Sequence, residues 1–318
     1  MKTIHIQILA CILTLSACGT PASAPTAQLE STAPPLPTLS LLPTFTPSSA
    51  PIPTLTPPSI SIPTSTFTPI TVEKPSDFSP VIYGGKFYQT PFFLLLGGVS
   101  KDKWLAPEES IARFSGEATY SLHTLLQENK YFFWGTAPEF FPTSQSYSIH
   151  TDADINEVGL VGVLDGWTIT KRAVTELTAD GQFYQQAVLD WLIAEGALVP
   201  QLDVLHVFRV DIEGDGVDEI FISASHLDES QHTTKAGDYS VVLMRRVIGN
   251  EVVTVPIVGD VYHSQELEVT YPVTYSLANF IDLNQDGVLE VIVDTQKWED
   301  VGARIYQING QDVIQALP

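Results

Sequence analysis

Two short acidic stretches carry the clearest chemistry in this sequence. Asp211-Ile-Glu-Gly-Asp-Gly-Val-Asp-Glu219 and Asp282-Leu-Asn-Gln-Asp-Gly-Val-Leu-Glu290 begin 71 positions apart. In each, oxygen-bearing side chains alternate at positions 1, 3 and 5, and a glycine at position 6 permits a sharp turn. Donors of that kind suit calcium, a hard cation that takes about six to eight oxygens at roughly 2.3–2.6 Å. The expected donors in the first loop are Asp211, Glu213, Asp215, the Val217 carbonyl and Glu219. In the second they are Asp282, Asn284, Asp286, the Val288 carbonyl and Glu290. An EF-hand is excluded, because position 12 is Ile222 or Val293, inside a β-prone run. That motif needs a glutamate there, and flanking helices. A metal-free turn stays open, since Asp and Gly favour turns without any ion. Against it, Asp211, Glu213, Asp215, Asp218 and Glu219 crowd five carboxylates into the first loop, and they would repel without a cation. Asp218, at position 8, is expected to face solvent. Neither loop keeps an obvious open position for a substrate, so the expected role is structural.

The segments around the loops repeat as well. Residues 204–224 and 277–295 each read as a β-prone run, the acidic loop and a second β-prone run. Two further runs follow each loop. Asp238–Val247 and Glu251–Val258 are joined by Ile248-Gly249-Asn250, and Ala303–Ile308 and Gln311–Ala316 by Asn309-Gly310. Asn-Gly between β-prone runs is a strong hairpin signal. Each repeat is therefore a four-stranded antiparallel meander with the acidic loop between its first two strands.

Loop and meander together resemble the FG-GAP and VCBS-type repeats of integrin-like β-propellers. The match falls on Asp211, Glu213, Asp215 and Glu219, and on Asp282, Asn284, Asp286 and Glu290. The resemblance implies that calcium in the loop braces each blade. Two departures stand out. Glu213 is longer than the usual Asp or Asn. Only two repeats are visible, where a propeller has about four or more blades. The expected fold is therefore α+β, predominantly antiparallel β. Two four-stranded blade-like meanders occupy residues 201–318, and a mixed α/β region occupies residues 77–200.

In that mixed region Pro91–Gly98 reads as a buried strand ended by glycines, and Ala106–Phe114 as a short helix with Pro107 in its first turn. Thr119–Leu126 and Glu157–Leu164 read as strands. A longer helix begins at Asp180 as cap and closes at Gly196, with Phe183, Ala187, Val188, Trp191 and Leu192 as its apolar stripe. Trp191 is expected in the core. The clusters Tyr131–Trp134 and Phe140-Phe141 place aromatics on both faces of a strand; both faces are expected to be covered, the alternative being that one forms a sticky patch.

Enzyme signatures are scarce. The mature chain keeps six histidines, His123, His150, His206, His226, His232 and His263, none in a metal-binding spacing. Asp152 and Asp154 form a carboxylate pair that reads as a solvated turn. No nucleophile elbow or phosphate-cradling loop is present. A formal net charge of -22 argues against nucleic acid and against anionic headgroups, and suits divalent cations or plain solubility.

The N-terminus sets the compartment. Lys2, the apolar run Ile8–Leu15 and the small residues before Cys18 make a signal peptide over residues 1–17. Leu15-Ser16-Ala17-Cys18 resembles the lipobox of bacterial lipoproteins. The resemblance implies cleavage before Cys18 and acylation of its thiol, and the alternative is an ordinary secretory signal. Two acyl chains hold a protein firmly in a membrane where one holds it marginally. Cys11 leaves with the signal, so no disulfide is expected. Residues 18–76 follow as a Pro/Thr/Ser-rich stalk whose only charged residue before Val72 is Glu30. Prolines at that density prevent helix and ladder alike and leave an extended chain. At ~3.1 Å per residue, residues 19–72 of the stalk reach up to ~170 Å. Glycosylation of its Ser and Thr, or use of its prolines by a partner domain, remain alternatives.

The expectation is an extracytoplasmic domain, lipid-anchored through Cys18 to a bacterial membrane. It carries structural calcium loops and a non-catalytic binding or display role toward an extracellular protein or glycan. The alternative is a hydrolase of envelope or extracellular polymer that uses carboxylates.

Overall fold

The computed structural model describes residues 77–318, except 88–89, 102, 114–116, 127–129, 143, 152–156, 158, 198–200, 228–232, 264–270 and 299. Cys18, the signal and the stalk lie outside the described residues, as do Asp152, Asp154 and His232.

Eight strands make the first sheet: β1 Ser79–Phe87, β2 Thr90–Ser100, β3 Lys103–Leu105, β4 Ala118–His123, β5 Lys130–Gly135, β6 Glu139–Phe141, β7 Ser146–Ser148 and β8 Leu160–Leu164. One turn of helix, α1 Pro107–Ile111, lies between β3 and β4. The order is β5-β4-β8-β1-β2-β7-β6, with β3 on β2. A bridge between Gly135 and Thr151 links the end of β5 to the chain just after β7, so the sheet curls back on itself. Ile82, Phe93, Leu95, Tyr120, Leu122 and Phe133 fill the concave side.

The second sheet holds β9 Thr175–Leu177, β10 Val204–Val210, β11 Glu219–His226, β12 Tyr239–Ile248 and β13 Glu251–Val261, with helix α2 Gln182–Ala194 between β9 and β10. Its order is β13-β12-β11-β10-β9. The third sheet is a plain meander, β14 Thr274–Ile281, β15 Glu290–Gln296, β16 Val301–Asn309 and β17 Asp312–Leu317. The two repeats are thus the two later sheets, as the sequence predicts. The first gains a fifth strand, β9, from the mixed region.

Packing explains why so many strands are apolar on both faces. The third sheet is the middle layer. Tyr275, Leu277, Phe280, Val291 and Tyr306 meet Phe208, Phe221, Val242 and Met244 of the second sheet. On the other face Ala278, Ile281, Ile292 and Ile305 meet Val81, Tyr83, Leu96 and Val161 on the convex side of the first sheet. The far face of the second sheet, with Val207, Ile222, Val241 and Leu243, is covered by Ala187, Val188 and Leu192 of α2. A continuous apolar run is the mark of a strand covered on both faces.

Several local expectations are corrected. Gly97 and Gly98 do not end a strand, because β2 runs on to Ser100. Gly97 sits at a register shift opposite Val81/Ile82 with φ +149, and a Cβ there would lie 2.4 Å from the Leu105 carbonyl oxygen. Asp180 does not cap α2. Gly181 stands at that position with no side-chain cap, so the helix starts without the expected hydrogen bond. Phe183 is off the buried stripe, at 79% exposure, while Trp191 packs on the core as predicted. The aromatic clusters are not covered on both faces. Phe133 is buried in the curl, but Phe132, Trp134, Phe140 and Phe141 are exposed.

Candidate metal centre

The two acidic loops have one backbone design. In the first, the Asp211 carboxylate accepts the amides of Gly214 at 2.6 Å and Gly216 at 2.9 Å, and Glu219 accepts the Ile212 amide at 3.1 Å. In the second, Asp282 accepts the amides of Gln285 at 2.7 Å and Gly287 at 3.1 Å, and Glu290 accepts the Leu283 amide at 2.8 Å. Position 5 repeats too, since Asp215 and Asp286 accept the amides of Val217 and Val288, both at 2.8 Å. Positive φ recurs at positions 4 and 6, with Gly214 at 75° and Gly216 at 87° against Gln285 at 66° and Gly287 at 90°. Glutamine tolerates position 4 in the second loop. In the first, Arg172 lies over Gly214, and a Cβ there would meet its guanidinium at 2.5 Å.

The loops are tied to each other and to the rest of the fold. Leu289 donates its amide to the Ile212 carbonyl at 2.9 Å. Arg172 donates to the carbonyls of Ile212 and Gly287, each at 2.6 Å, so one guanidinium spans both loops. The Trp167 indole donates to the Leu283 carbonyl at 2.9 Å, and the Asp282 amide to the Thr170 carbonyl at 2.9 Å. The segment Trp167–Arg172 therefore straps both loops, a role its sequence did not signal.

Electrostatics separates the loops. In the first, the Arg246 guanidinium, nearly buried, lies 2.8 Å from Glu213 and 3.9 Å from Glu219. Arg209 pairs with the half-exposed Asp218 at 3.3 Å, in keeping with its expected position at the surface. Burial pushes the Glu219 carboxyl up, and the Ile212 amide and Arg246 partly offset it. Burial also opposes the charge on Asp211, but the Gly216, Gly214 and Asp215 amides, with Arg172 nearby, hold its carboxyl below the usual range. Four of the five carboxylates of this loop, Asp211, Glu213, Asp218 and Glu219, thus lie near cations the protein itself supplies.

The second loop is different. Asp282, Asn284 and Glu290 are buried. Burial, helped by the charges of Asp286 and Asp282, raises the Glu290 carboxyl to about 8, against the opposing Leu283 amide and Gln307 side chain. Burial also raises Asp282. Among the described residues no basic side chain lies within ion-pair reach of Glu290. Asn284 and Asp286 bond to each other, at 2.9 Å. Among the described residues no three His, Cys, Asp or Glu side chains converge as a ligand set, so the oxygens of this loop are directed at its own amides.

A second polar feature lies elsewhere. A cleft of about 610 Å³ opens beside α2, lined by Asp180, Gln185, Asp203, Ser225 and His226. The His226 Nδ1 is 2.7 Å from Asp203 Oδ2. The Asp203 amide donates to the Tyr239 hydroxyl at 3.0 Å, which fixes the backbone of the pair. Sequence spacing could not reveal this pair, because its members sit on different segments 23 residues apart.

Comparison with known proteins finds no matching family model, no similar curated protein and no similar solved structure.

Proposed function

We propose that the protein is a lipid-anchored, extracytoplasmic binding module whose β-rich body is braced by one calcium ion in the loop Asp282–Glu290. The observation that carries the calcium reading is Glu290, a buried carboxylate beside Asp282 and Asp286 that faces no basic side chain among the described residues. The donor set is all oxygen, as calcium requires, and Asp282 and Glu290, which accept amides of their own loop, would have to turn toward the ion. Asp282, Asn284, Asp286, Glu290 and the Val288 carbonyl would hold the ion, in the manner of the FG-GAP and VCBS loops these residues resemble. When bound, the ion supplies positive charge that neutralises the loop. The loop then ties the start of β15 to Leu283, which packs between the first and third sheets.

The lipobox-like Leu15-Ser16-Ala17-Cys18 and the proline-rich stalk support acylation at Cys18 and placement outside the cytoplasm. The exposed aromatics Phe132 and Trp134, on a strand whose Phe133 is locked in the core, support a surface that contacts a partner. The test is calcium binding by the chelator-stripped full chain in detergent. Binding that disappears in Asp282→Ala/Asp286→Ala supports the reading, and a chain that takes up no calcium at millimolar concentration sinks it.

The cleft favours a second reading, a hydrolase of envelope or extracellular polymer. Asp203 on Nδ1 would orient His226 as general base, and Asp180 adds a second carboxylate to the lining. Turnover in a screen of glycan and peptide substrates, lost in His226→Ala, would favour it over the binding module.

A further inference from the structure

We infer that Arg246 is a built-in cation that stands where a metal ion would otherwise be needed in the first loop, so that of the two loops only the second takes calcium. The register of the two repeats carries this. In the second sheet Ile220, one residue past Glu219, pairs with Arg245. In the third sheet Val291, one residue past Glu290, pairs with Tyr306. Arg246 and Gln307 are therefore equivalent positions, each facing the glutamate that closes its loop. The hairpin turns agree, with Gly249 at φ 64° and Gly310 at φ 62° three residues further on in each. The backbones of the loops match and the facing side chain does not: one is a guanidinium, the other a neutral amide.

The surroundings of Arg246 fit the substitution. It donates to Glu213 at 2.8 Å and to the Gly310 carbonyl at 2.7 Å, which fixes the guanidinium between the loop and the opposite hairpin turn. Glu213 occupies position 3, where the second loop has Asn284. Its extra length is what lets a position-3 carboxylate reach a cation anchored on β12. The shorter Asn284 turns back onto Asp286 instead. A divalent ion beside Glu213 and Glu219 would sit against a fixed positive charge, and like charges at such range repel strongly in a buried site. The first loop therefore does not fit a metal.

The inference for the first loop stands on the Arg246 geometry, and its second half rests on the calcium reading above. The experiment separates the two. Equilibrium dialysis of the metal-stripped full chain with calcium should give one ion per chain, lost in Asp282→Ala/Asp286→Ala and kept in Asp211→Ala. Two ions per wild-type chain, one of them lost in Asp211→Ala, would overturn the inference and leave the second loop intact as a site. The complementary arm starts from Asp282→Ala/Asp286→Ala and adds Arg246→Gln, which copies the environment of Glu290 into the first loop. This variant should have a lower melting temperature in chelator and regain it with millimolar calcium. Arg246→Lys in the same background keeps the charge and should show no calcium response. If Arg246→Gln folds and ignores calcium, or if Arg246→Lys responds as strongly, the inference fails. If the wild type takes up no ion, the calcium reading falls, and this arm alone decides the role of Arg246.

Discussion

Leu289 donates its amide to the carbonyl of Ile212 across 2.9 Å, which joins position 8 of one acidic loop to position 2 of the other. Both side chains are fully buried in the same apolar cluster. The loops are therefore joined as one mechanical unit.

Arg172 should be the most sensitive residue in that unit. It donates to carbonyls of both loops. Bonds from a charged donor contribute more than neutral ones, and Arg172→Ala should cost about 2–3 kcal/mol in denaturant unfolding. Arg172→Lys should recover only part, because an ammonium cannot span two carbonyls as a planar fork does. A loss below about 0.5 kcal/mol would show that the strap is incidental.

Calcium should raise the melting temperature of the stripped protein, since the unfolded chain lacks the assembled loop. At free calcium about 100-fold above the dissociation constant the stabilisation is about 2.7 kcal/mol. Scanning calorimetry of the wild type and of Asp282→Ala/Asp286→Ala checks this, the variant showing no shift.

The pH dependence follows from Glu290. Its carboxyl is raised from 4.5 to about 8, so between those values the folded state binds more protons than the unfolded one. Stability then falls as pH rises through that window. Metal-free protein should be more stable at pH 5 than at pH 8, and Glu290→Gln should flatten the slope. Calcium requires the ionised carboxylate, so its binding at pH 7 should release protons, measurable as a buffer-dependent heat. A metal-free protein that gains stability from pH 5 to pH 8 would contradict the placement of this group.

Tyr83 on the first sheet donates its hydroxyl to Asp294 on the third at 2.6 Å. Burial pushes the Asp294 carboxyl up, with the Tyr83 hydroxyl opposing it. Tyr83→Phe removes one donor and leaves the acceptor behind, at a cost of about 1–3 kcal/mol in urea unfolding. An unchanged midpoint would mean the two sheets are held by apolar contact alone.

Replacement of Cys18 by Ser should move the protein from the membrane fraction to the soluble extracytoplasmic fraction. Retention in the membrane after that change would remove the lipid anchor from the account.

The sequence by itself determined the two repeats, their strands and both acidic loops, because each is written in contiguous residues. Turn glycines, alternating oxygens and β-prone runs act within a few positions of one another, and their geometry follows locally. Neighbour relations were decided only by the tertiary structure. That β9 and α2 join the first repeat, and that the third sheet lies between the other two, depends on which apolar faces meet, and an apolar run does not name its partner. The expected cover over Phe132 and Trp134 failed for the same reason, whereas the cap at Asp180 missed by one position, because the helix takes Gly181 as its N-cap. Charge balance in the loops is the sharpest case. Arg246 is 33 residues from Glu213 and Arg172 is 115 from Gly287. Strand register, not spacing along the chain, sets a cation against one loop and the neutral Gln307 against the other.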